Sequence, residues 1–253
     1  MADVIDYRIF GDDMQIVEVE LDPGEGVRAE AGAMMYMDPG IDMQTNTGGG
    51  AFKGFKRMLT GESFFITNFV HRGTGTAHVA FGAPYPGKVV PIDLPNFDGQ
   101  FIAQKDSFLC AAQGVEIEVA FTKKLGTGIF GGEGFILQRL EGDGLAFVHA
   151  GGALIEKRLK PGEVLRVDTG CIVGFSRGVD YDIQLVGGFK NALFGGEGLF
   201  MATLEGPGTA YLQSLPLSRL ANRIVAAARF GAYKGESRGI GGELLGGRLG
   251  GDR

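Results

Sequence analysis

Gly174-Phe175-Ser176-Arg177-Gly178 has the spacing of a nucleophile elbow, in which a serine on a sharp strand-to-helix turn is activated by a later histidine. Here the residues that follow, GVDYDI, alternate as a strand does, and the last histidine, His149, precedes the serine. Serine hydrolysis is therefore not expected. Gly126-Thr127-Gly128-Ile129-Phe130-Gly131 fits GxGxxG, yet it leads into the strand-like GFILQRL instead of a helix whose first amides would hold a pyrophosphate. The segment from Gly82 to Lys88 resembles a phosphate loop, but Pro84 and Pro86 remove amide donors and Val89 stands where a magnesium-binding hydroxyl belongs. It reads as a turn.

A metal centre on a β scaffold needs paired imidazoles and a carboxylate that converge. His71 and His78 fall on opposite arms of one hairpin and His149 lies in a different part of the chain, so hydrogen-bonded strand histidines are expected instead of ligands. No catalytic residue, metal ligand or cofactor-binding residue is assigned, and no cofactor is expected. One acidic set remains as a candidate: Glu62, Glu133 and Glu197 recur at one place in three similar segments. Brought together, three carboxylates repel, raise one another's pKa, and recruit a cation or a basic partner. Left apart, each is a turn residue in water or bonded to backbone amides.

Those segments also expose the architecture. GESFFITNFVHRGTGTAHVAF from Gly61, GEGFILQRLEGDGLAFVHAG from Gly132 and GEGLFMATLEGPGTAYLQSL from Gly196 each read as strand, glycine turn, strand. Their glycines Gly75, Gly144 and Gly208 come into register if the first hairpin carries two extra residues at its tip. Upstream, LDPGEGVRAEAGAM from Leu21 and LKPGEVLRVDTGCI from Leu159 match without a gap, and Pro followed by Gly predicts a type II turn in both. In the middle copy the corresponding stretch from Leu94 is two residues longer. In GVEIEVAF, Val115, Ile117 and Val119 are expected to face inward and Glu116 and Glu118 outward; Val179, Tyr181 and Ile183 repeat that pattern. The expected organisation is a β repeat over 1–86, a second over 87–150 and a third over 151–214. A lone sheet module of this size is marginal, so the three are expected to pack in a pseudo-threefold arrangement around a shared apolar face.

Beyond the third hairpin, Pro216 opens a helix predicted over 215–230. Leu217, Leu220, Ile224, Val225 and Ala228 form its apolar stripe, and Arg219, Arg223 and Arg229 make a basic surface for a partner. Residues 231–253 are expected to be a glycine-rich tail. The 45 glycines among 253 residues favour many short strands joined by turns. A net charge of −6 provides no footprint for a phosphate backbone, so no nucleic-acid partner is expected. Cys110 and Cys171 are expected to be buried free thiols. The first residues lack a basic and apolar leader and no run reaches a membrane span, so a cytoplasmic location is expected.

At AEAGAMMYMDPGIDM from Ala29, GGEGFILQRLEGDG from Gly131 and GGEGLFMATLEGPG from Gly195, the chain resembles the altered-inheritance-of-mitochondria family, which includes a bacterial domain of unknown function. The likeness covers residues 5 to 230 and implies a mainly β fold of three units similar to the tryptophan RNA-binding attenuation protein. Each unit would be a short double-stranded β-helix, with one C-terminal helix added. The family brings no catalytic residues, and its mitochondrial members' link to inner-membrane organisation is not transferred to this chain. The expected function is a non-enzymatic scaffold or protein-interaction module, with an unknown protein partner or a second copy of the chain. A small-molecule pocket in or between units is the first alternative, and membrane contact through the helix the second.

Overall fold

The computed structural model describes residues 1–30, 32–45, 66–123, 135–185 and 200–236. The chain first forms β1 (Asp6–Phe10), β2 (Ile16–Leu21), β3 (Gly26–Glu30), β4 (Met34–Met37), β5 (Ile41–Thr45), β6 (Ile66–His71) and β7 (Ala77–Gly82). There follow β8 (Gly87–Asp93), β9 (Gln100–Gln104), β10 (Phe108–Ala112), β11 (Glu116–Lys123), β12 (Phe135–Glu141) and β13 (Leu145–Gly151). The last strands are β14 (Leu154–Leu159), β15 (Val164–Asp168), β16 (Ile172–Ser176), β17 (Asp180–Leu185), β18 (Phe200–Glu205) and β19 (Gly208–Gln213), before the helix α1 (Leu217–Glu236). The protein is mainly β.

Local chemistry sets the turns. Gly24 and Gly162 follow prolines and adopt φ of +95° and +73°, which a side chain resists, and Glu25 and Glu163 close the turns by donating to Asp22 and Lys160 carbonyls. Alternation then sets the faces: β2 buries Val17, Val19 and Leu21 and leaves Glu18 and Glu20 on the other side. In β17 Ile183 is buried between exposed Asp182 and Gln184, as the alternation predicts. Val119 departs from it, because a register shift against β12 between Val119 and Phe121 turns it outward, 38% exposed.

All named pairings are antiparallel and build four sheets among the described residues, in the orders β1-β2-β7-β4, β5-β6-β3-β10-β13-β8, β11-β12-β9-β16-β19-β14 and β15-β18-β17. One order recurs in β5-β6-β3, β11-β12-β9 and β17-β18-β15; another recurs in β4-β7-β2, β10-β13-β8 and β16-β19-β14. The joints between them are β3 to β10 and β9 to β16. Among the described residues β4 and β15 have no strand on their second edge. The pairing also corrects the hairpin alignment: Ala77, not Gly75, lies opposite Leu21, whereas Gly208 lies opposite Leu159. The tip between β6 and β7 is thus longer than the sequence match implied.

Buried side chains form two clusters. One gathers Phe69, Phe81, Phe101 and Phe147, and the other Phe135, Leu137, Phe175 and Leu204. Cys110 is fully buried, and burial pushes its thiol pKa well up. Cys171 is only half-buried, because it sits in a short 3-10 turn, Thr169–Cys171, instead of a strand. The chain divides into two compact units after Pro216. α1 runs to Glu236, six residues past its predicted end, so Gly231 to Glu236 are helical and not tail; Ala232, Lys234 and Glu236 favour helix enough to carry two glycines. Among the described residues no helix is long and apolar enough to cross a membrane.

Candidate functional site

The structure separates the sequence candidates. Glu62, Glu133 and Glu197 lie outside the described residues, as does the glycine motif at 126–131. Arg219 and Arg223 lie on α1; the side chain of Arg229 is outside the described set. Ser176 ends β16 and is followed by strand β17, with its hydroxyl accepting the Thr209 amide at 2.9 Å, so it caps a turn and is no nucleophile elbow. Gly82 to Lys88 joins β7 to β8, with no helix behind it to bind phosphate. His71 is 1% exposed and its Nε2 donates to Gly75 O at 2.7 Å, which ties the long hairpin tip together. Among the described residues no group of histidine, cysteine and carboxylate side chains is arranged to hold a metal.

The outer face of the first sheet is more informative. Cross-strand registry lines up three rows over β1, β2, β7 and β4. Phe10, Ile16, Gly82 and Met35 form an apolar row, in which Ile16 and the Met35 sulfur close over the bare Cα of Gly82. Next come Arg8, Glu18, Ala80 and Tyr36, where Tyr36 donates to Glu18 at 2.5 Å and that bond raises the phenol pKa. In the last row Asp6, Glu20 and His78 run to Asp38, whose Oδ2 is 2.9 Å from His78 Nδ1, while Glu20 lies 3.6 Å from Nε2. The bond to Asp38 holds the imidazole pKa up and that of Asp38 down. β4 ends the first two rows and Asp38, directly after it, ends the third; Met35, Tyr36 and Met37 are exposed, and the far edge of β4 is unpaired among the described residues. Nothing in the MMYM run itself marks a surface strand; its exposure goes with the absence of a strand on its far edge among the described residues.

A cleft of about 380 Å³ opens at the β9 to β16 joint. Its lining includes Ile102, Val119, Arg139, Arg177, Val179, Asp180 and Tyr181. Arg139 is held by Glu118, at 2.5 Å, and by an ion pair to Glu141 at 3.2 Å. The β3 to β10 joint is built alike: Arg28 lies opposite Asn68 and Ala111 there, as Ile102 lies opposite Arg139 and Phe175 here. Arg28 Nη1 donates to Val115 O at 2.9 Å. Partial burial lowers the guanidinium pKa and Glu116 opposes that shift.

Deep in the molecule, His149 is 2% exposed and meets buried Tyr85 edge to face, with ring centroids 4.6 Å apart. Its Nδ1 has no hydrogen-bond partner among the described residues, and burial lowers its pKa to about 4.

The family model for mitochondrial biogenesis AIM24 matches residues 7–215. The chain belongs to the AIM24 family. An uncharacterized AIM24 relative from Streptococcus pyogenes serotype M6 is 30% identical over 217 residues, which is 83% of this chain and 85% of the relative. An X-ray structure of a Streptococcus pyogenes protein is also similar, with 26% identity and a TM-score of 0.73, over 88% of this chain and 99% of that one. AIM24 membership accounts for the β architecture, while these relatives name no substrate or partner.

Proposed function

We propose that the chain is a non-enzymatic, cytoplasmic interaction module that takes an extended segment of a protein partner onto the free edge of β4. The observation that carries this reading is the edge itself: a strand paired on one side by β7, with no strand on its second edge among the described residues, and with Met35, Tyr36 and Met37 exposed at 56%, 43% and 37%. Soluble proteins ordinarily cover or charge such edges, and strand addition uses them for binding. Flexible methionines suit a surface that adapts to its ligand.

The module is three attenuation-protein-like units, over 1–86, 87–150 and 151–214, in pseudo-threefold order. The thrice-repeated pairing order and the two like joints support this reading. In such an arrangement β15 and β4 are the edges of the third joint, so the partner strand enters at a seam that has no ladder among the described residues.

The test is affinity purification from the native cell with the full chain and with the double variant Met35→Lys, Met37→Lys. These are surface changes, so the thermal midpoint should hold. The wild type is expected to retain a partner that the variant loses. Identical capture by both, or none by either, overturns the reading.

A further inference from the structure

The cleft at the β9 to β16 joint is the imprint of a side chain that the chain itself supplies elsewhere. At the β3 to β10 joint the same position is filled by Arg28, whose guanidinium reaches the carbonyl of Val115 beside Glu116. Val179 and Asp180 repeat Val115 and Glu116: the amides of Val115 and Val179 close matching turns onto Ala112 and Ser176, at 3.2 and 3.1 Å. Ile102, in place of Arg28, is too short and too apolar to reach that wall, and about 380 Å³ stays open in front of it.

We propose that this cleft binds a ligand with a guanidinium head, which takes the place that Arg28 holds at the β3 to β10 joint. Three observations specify a cation. The wall has already been shaped around one, since the Val115 carbonyl accepts from Arg28 in the like position. Charge agrees: Asp180 lines the cleft and Glu118 and Glu141 flank it, against Arg139 and Arg177, so one negative charge is left over at neutral pH. Arg139 already faces two carboxylates and so is a poor anion receptor. The volume lies within the range of small-ligand pockets. A guanidinium fits better than a simple ammonium because its planar fork can donate to the Val179 carbonyl and the Asp180 carboxylate together.

The experiment titrates the full chain with agmatine, with the peptide Gly-Arg-Gly and with acetate, followed by amide and Tyr181 ring resonances. Saturable shifts confined to the cleft with agmatine or the peptide, and none with acetate, are expected. The tighter of the two tells a free small molecule from an arginine side chain. Asp180→Asn, an exposed change, should weaken binding about tenfold or more, the loss typical of a charge-assisted hydrogen bond. Ile102→Arg should fill the cleft from within and abolish binding, and Arg28→Ala should open a second site and raise the stoichiometry from one to two. Acetate binding in place of agmatine, no shift with either cation, or unchanged affinity in Asp180→Asn overturns the proposal. That result leaves the β4 reading intact, because the two sites share no residue.

Discussion

Gly87 lies directly beneath the ring of His149: a Cβ added at Gly87 would sit 2.5 Å from His149 Nε2 and 2.2 Å from the Ala150 carbonyl oxygen. The two sit diagonally across β8 and β13, where Gly87 pairs with Gly151 and Val89 with His149, and their close approach fixes where a buried imidazole fits. Gly87→Ala must therefore push rigid backbone, and a cost of about 2 to 3 kcal/mol is expected in urea denaturation. Gly24→Ala has open space around it but keeps φ at +95°, so it should cost only about 1 kcal/mol. Equal costs at the two sites would contradict the close approach.

His149 makes acid stability pH-dependent. Its folded pKa is about 4, below the ordinary 6.5, so the unfolded chain binds the extra proton between those values. Stability is intact above pH 6.5 and falls as pH drops toward 4, by roughly 3 kcal/mol from this group alone. His149→Leu should flatten that part of the profile and leave the carboxylate-driven loss at lower pH. An unchanged slope would show that the imidazole is protonated in the fold.

His78 runs the opposite way. With its pKa raised chiefly by Asp38, the stability it adds is present below the ordinary value and lost as pH rises through the folded one. Asp38→Asn should lower the imidazole pKa in an NMR titration, though Glu18 and Glu20 on β2 still hold it partly up. A pKa that does not move would place the 2.9 Å contact outside solution reality.

Phe69 on β6 and Phe81 on β7 meet edge to face, with centroids 5.3 Å apart, and so join two sheets through the first core cluster. Phe69→Ala should lose about 3 to 5 kcal/mol in chemical denaturation, the usual cost of removing a buried ring. A loss below about 1 kcal/mol would mean that the sheets repack around the gap.

Arg28→Met keeps the aliphatic stem but removes the donor to Val115. A loss of about 1.5 to 3 kcal/mol is expected, because the carbonyl of buried Val115 is left without its charged partner. Measured against Ile102→Met at the open joint, which should be nearly neutral, the difference isolates the hydrogen bond.

What the sequence determined was local. The type II turns at Asp22–Glu25 and Lys160–Glu163 follow from Pro then Gly, because φ preferences act within four residues. The inward and outward faces of β2 and β17 follow from a period of two, and the strand after Gly178 removed the hydrolase reading before any coordinates. Even so, the bulge at Val119 and the long hairpin tip at His71 escaped, since each depends on what the partner strand does. Tertiary structure alone decided which edges pair, that β4 has one edge without a strand among the described residues, and that Arg28 and Ile102 hold one position with different results. Those outcomes arise between strands dozens of residues apart, where the ladder and the charge beside it exist only once the chain has closed.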